Sequence, residues 1–78
     1  MHSGDLLKII IEVIKEFNKE GVIPNSFQIA KRVKEKGYKI TIEQELPDGY
    51  NSPEVNASLF YLEMTGYIKR KRFQGYLL

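Results

Sequence analysis

The chain has 78 residues, with 12 Lys and Arg against 10 Asp and Glu for a formal net charge of +2, and no cysteine. That length suffices for one small domain and not two, since so short a chain buries only about 60–65% of its unfolded surface. Without cysteine, neither disulfides nor a thiolate-bound metal can hold the fold, so stability must come from one compact core and locally consistent structure.

Residues 1–78 are expected to form a single domain, with residues 1–4 outside its ordered part. The opening "MHSGDLLK" lacks the charged-then-apolar order of a signal peptide. No run of about 18 apolar residues is present to span a bilayer, so a cytoplasmic location without membrane contact is expected. Frequent Ile, Lys and Glu with little Gln is similar to the usage of proteins from hyperthermophiles.

In chain order, "DLLKIIIEVIKEFNKEG" places Leu6, Leu7, Ile10, Ile14 and Phe17 on one helical stripe, with most charges opposite. Asp5 as N-cap and Gly21 after the C-terminus predict a helix over 6–20. "VIP" then gives two or three extended residues, stopped at Pro24. Asn25 and Gln28 have the spacing of a capping box, and Phe27, Ile29, Ala30 and Val33 predict a short second helix ending at Gly37. Its outer face is basic, with Lys31, Arg32, Lys34 and Lys36.

In "YKITIEQELPDGYN", Ile40 and Ile42 alternate as in a strand and "PDG" is a turn, so residues 38–51 read as a long loop with room for one short strand. Ser52 as N-cap, Pro53 at the first helical position, Glu54 in the first turn and Gly66 beyond the end predict a third helix over 53–65. After it come Tyr67 and Ile68, four consecutive cations, and the strand-favouring "FQGYLL". Only the ends of this segment are apolar, so the cations should lie near the tip of a hairpin. Two registers fit: a tip near Lys71 and Arg72, which leaves a return strand long enough to bring Leu77 or Leu78 to the core, or a tip at Gln74 and Gly75, which has the better turn residues.

Charge is distributed in blocks. Residues 31–42 carry Lys31, Arg32, Lys34, Lys36 and Lys39 against Glu35 for +4; residues 43–66 carry Glu43, Glu45, Asp48, Glu54 and Glu63 for −5; residues 67–78 carry Lys69, Arg70, Lys71 and Arg72 for +4. Phosphate binding depends on such clusters and not on the sum, so the two basic blocks are candidates for a nucleic-acid surface.

The order helix, extended segment, helix, helix, hairpin resembles the winged helix-turn-helix family over essentially the whole chain. The stretch "VNASLFYLEMTGYIKR" carries most of the likeness. Val55, Leu59 and Leu62 fall within about 60° on a helical wheel and make one buried stripe. Gly66 then allows the left-handed turn into Tyr67, Ile68 and the basic run. The resemblance implies an α+β, mainly α, architecture: a three-helix winged helix-turn-helix with a short C-terminal β-hairpin wing. It also implies a third helix in the major groove of double-stranded DNA and a wing on the backbone or an adjacent groove, as in a transcription regulator. Lys69, Arg70, Lys71 and Arg72 are then the main phosphate contacts, with Asn51, Ser52 and Asn56 near the groove and Lys31 and Arg32 in support.

The chain departs from the family pattern at two points. Residues 38–51 replace a link of a few residues between the second and third helices, and the third helix has no Lys or Arg. Its second side, Ala57, Phe60, Tyr61 and Met64, is apolar. The acidic 38–50 segment, the first helix or a second copy of the chain can cover such a face, and Tyr61 could instead stack on an unpaired base. The interface option uses Phe60, Tyr61 and Met64, and makes the chain a homodimer or a protein-interaction module of a replication or transcription assembly.

Catalytic and cofactor patterns are missing from the sequence. His2 is the single histidine and sits one residue from the start. There is no phosphate-binding glycine loop, nucleophile elbow or His-Glu-x-x-His metal pair. A non-enzyme without metal, cofactor or small-molecule substrate is expected.

Overall fold

Eight apolar residues between Leu6 and Phe17 cover roughly 200° of a helical wheel, too wide an arc for a helix buried on one side only. In the computed structural model, which describes residues 3–78, that helix (α1, Ser3–Lys19) is the centre of the core. It buries Ile9 and Val13 as well as Leu6, Ile10, Ile14 and Phe17. The start differs from the expected one: Asp5 lies inside the first turn, where its charge favours the positive end of the helix dipole. His2 lies outside the described residues.

The second helix (α2, Ser26–Glu35) begins where the capping box places it. Gln28 N–H donates to Asn25 Oδ1 at 2.9 Å, and Asn25 N–H donates to Gln28 Oε1 at 2.9 Å. Between α2 and the third helix the chain forms its own hairpin: β1 (Gln44–Leu46) and β2 (Gly49–Asn51) are antiparallel, joined by Pro47 and Asp48, with Glu45 opposite Tyr50. The alternating Ile40 and Ile42 are extended but outside either strand, because the "PDG" turn sets the pairing register and leaves them no partner. Ile40 packs against the core from this unpaired position.

The third helix (α3, Pro53–Met64) lays Val55, Leu59 and Leu62 on the core, as their spacing requires. All three helices end alike. The N–H groups of Val22, Tyr38 and Tyr67 donate back to Phe17, Val33 and Leu62, with Gly21, Gly37 and Gly66 in the left-handed region before them. At Gly66 this turn aims the chain out of α3, and the buried Ile68 fixes the base of the second hairpin.

That hairpin pairs β3 (Lys69–Lys71) with β4 (Gly75–Leu77), Lys71 opposite Gly75, across a loop of Arg72, Phe73 and Gln74. The tip therefore falls between the two expected positions, with Phe73 at its apex in a left-handed conformation, φ 63°. The return strand is held by Tyr76, which packs against the core and whose N–H donates to the Pro24 carbonyl at 2.8 Å; Leu78 remains exposed. Asn18 closes the assembly, donating to the Val22 carbonyl at 3.0 Å and accepting from Leu78 N–H at 3.1 Å. Three helices plus a β-hairpin wing is thus the layout, with a second hairpin inserted before α3. Among the described residues no helix is long and apolar enough to cross a membrane.

Candidate nucleic-acid interface

β3 exposes every one of its residues, Lys69, Arg70 and Lys71, and Arg72 follows at the start of the loop. Side chains of a two-stranded hairpin have no second sheet to pack on, so these cations stand in water. One acid comes within ion-pair reach of them among the described residues: Glu63 Oε1, 3.9 Å from Arg70 Nε. At such distance and exposure the pair contributes little. The Arg72 guanidinium lies 4.9 Å from the centre of the Phe73 ring. Burial pushes the Tyr76 phenol pKa up, partly offset by Arg70, so Tyr76 stays a neutral hydroxyl beside the cations. An open groove of about 710 Å³ separates the hairpin from the start of α2, lined by Asn25, Ser26, Glu63 and residues 70–76.

The basic face of α2 is much less available than its sequence suggests. Arg32 donates to both carboxylate oxygens of Glu20, at 2.9 and 3.3 Å, and lies 3.8 Å from Glu16. Its guanidinium sits 3.6 Å from the centre of the Phe17 ring. Arg32 is therefore a strut between α1 and α2, engaged by carboxylates and an aromatic ring rather than projecting freely as the wing cations do. Lys36 bonds Glu16 at 2.6 Å, which raises its pKa despite some desolvation, and Lys34 lies 5.5 Å from the Tyr50 ring centre. Lys31 is exposed with no carboxylate in ion-pair range among the described residues. Glu12 and Glu16 of α1 and Glu20 just after it thus neutralise much of the second basic block.

At the start of α3, Asn56 donates through Nδ2 to Asn51 Oδ1 at 2.9 Å, so these two residues form one exposed polar pair. Ser52 does not join them. It is 0% exposed and its hydroxyl makes no cap hydrogen bond, which corrects its expected place beside the groove. Neither Ser52 Oγ nor Glu54 Oε1 has a hydrogen bond of good geometry, although the hydroxyl is close enough to help stabilise the carboxylate. Desolvation opposes the charge on Glu54. The N–H of Thr41, donating to Oε2 at 2.7 Å, and further local donors outweigh it and hold the carboxyl below its usual range.

The outer side of α3 is covered by no other part of the described chain. Phe60, Tyr61 and Met64 are 64%, 52% and 70% exposed, so neither the 38–50 segment nor α1 completes the core over them. Tyr61 lines a shallow depression with Leu7, Ala57 and Ser58, and Tyr67 extends the exposed apolar surface beyond the helix.

Phe73 and Asn18 carry roles that no sequence motif marks, and Gly75 serves as a seat for β4 rather than as a turn residue. A Cβ at Gly75 would overlap the Pro24 carbonyl, so glycine lets β4 seat directly on the segment before α2. Phe73 had a usable signal, an aromatic residue joined to four cations and followed by "QG", but it was read as strand rather than apex.

The chain matches no protein-family model, no curated protein and no solved structure. Function must therefore be argued from geometry alone.

Proposed function

We propose that this protein binds DNA through the β3–β4 wing, in the manner of a winged-helix transcription regulator. The supporting observation is the projection of Lys69, Arg70, Lys71 and Arg72 from an anchored hairpin with one distant carboxylate among them. Ile68, the Tyr76–Pro24 hydrogen bond and Asn18 fasten that hairpin to the core, so the four cations share one fixed base. Lys31 and the Asn51–Asn56 pair are secondary contacts in this reading. Four phosphate contacts give a slope of log affinity against log salt of about −3 to −4 on duplex DNA. The test is a salt series on random duplex with the four wing cations changed to Ala. Equal binding by that variant, or no binding by the parent at low salt, rejects the reading.

A second reading has its own support, the exposure of Phe60, Tyr61 and Met64. A helix without cations and with that outer face suits protein better than the major groove. In this reading α3 is the contact of a homodimer or of a larger assembly, either alongside DNA binding or in place of it. Sedimentation of the parent against a Phe60→Ala, Tyr61→Ala variant tests self-association.

A further inference from the structure

Phe73 is the most exposed large hydrophobic residue described, at 93%, and the one non-glycine residue described with positive φ. Each feature is unfavourable by itself. The ring gains almost nothing from the fold, and the left-handed backbone region disfavours a bulky side chain. Nothing in the hairpin demands phenylalanine there, since Gly or Asn would relieve the backbone at no loss of packing. Lys71 and Arg72 directly precede it, and the Arg72 guanidinium lies 4.9 Å from the centre of the ring, so cations able to hold phosphate stand beside an inserted ring.

We propose that Phe73 is a base-stacking residue: the wing tip places its ring against an unpaired nucleobase in DNA while the neighbouring cations hold the flanking phosphates. This rests on the DNA-binding reading and narrows the ligand to duplex interrupted by an unstacked base. An aromatic face recognises any base, so the preference is for structure and not for sequence. A fully paired duplex offers the same phosphates but charges an unstacking cost before the ring can enter.

The test compares a short paired duplex with the same duplex carrying one bulged 2-aminopurine, at fixed salt. The parent should bind the bulged duplex roughly tenfold more tightly, the size expected for one aromatic stack, and should quench the 2-aminopurine emission. Phe73→Ala should lose both effects and keep the parent's salt slope, while Phe73→Trp should retain both. Phe73→Asn, which suits the left-handed conformation, should behave like the Ala variant and so separate stacking from loop strain. A parent with the full salt slope but no preference for the bulge overturns the stacking inference alone, as does a Phe73→Ala variant that keeps the preference. A parent that binds neither duplex at low salt overturns both this inference and the DNA reading.

Discussion

Tyr76 N–H donates to the Pro24 carbonyl at 2.8 Å, and this bond joins the last strand to the segment that precedes α2. It stands where a third strand would pair with the wing, reduced to one hydrogen bond. The wing is consequently a fixed projection and not a tail, and its seat is sensitive to a single added methyl group.

Gly75→Ala would drive a Cβ into the Pro24 carbonyl, and the backbone there cannot swing aside as a side-chain tip can. Overpacking of this kind costs about 1–3 kcal/mol. Chemical denaturation should show the midpoint falling; if the wing is the DNA contact proposed above, affinity for duplex should fall with it because the cations lose their common base.

Arg32→Ala removes the strut that joins Glu16, Glu20 and the Phe17 ring. The expected loss is about 1–2 kcal/mol of stability from the stacked and bidentate contacts together. Lys31→Ala, on the same helix but without such partners, should leave stability unchanged within about 0.5 kcal/mol. Thermal melts of the two variants side by side give the comparison.

On α3 the two faces should respond in opposite ways. Leu59→Ala opens the core and should cost about 2–5 kcal/mol. Phe60→Ala with Tyr61→Ala should cost under about 1 kcal/mol, since both rings are largely in water already. If α3 is an interface, the double variant sediments as a smaller species and its melt falls only by the stabilisation that association supplied.

Glu54 ties the 38–43 segment to α3 through Thr41 and has a carboxyl pKa below the ordinary value. A lowered folded-state pKa contributes stability above the unfolded value and loses it as pH falls through the folded one. Acid titration of the parent should therefore show a component below the usual carboxylate range. In Glu54→Gln that component should disappear and the acid limb should flatten.

Much of the fold was legible because local signals agreed with one another. The Asn25–Gln28 box, Pro53 at the start of α3 and the three glycines after the helices each have one favourable backbone solution, and the structure adopts it. Residues 38–51 were less legible because Ile40 and Ile42 carry a strand period without a strand partner; pairing is a property of two segments and alternation of one. The site followed the same rule. The wing cations could be placed because four in a row between apolar anchors leave few options. Arg32 and Ser52 could not, since their roles depend on Phe17 in α1, on Glu20 just after it, and on burial that no spacing reveals. The outer face of α3 defeated the ordinary expectation that a small domain buries its aromatics.

Both hairpins rest on the same short piece of chain: Gly75 lies against the Pro24 carbonyl and Gly49 against the carbonyl of Phe27. Each strand is three residues long, too short for a two-stranded ribbon to persist alone in water. Each ribbon therefore depends for its stability on the platform that α1 and α2 support, whereas the helices do not depend equally on the ribbons. Local opening is cheapest at the ribbons, so the backbone amides of the wing should exchange with solvent well before those of α1.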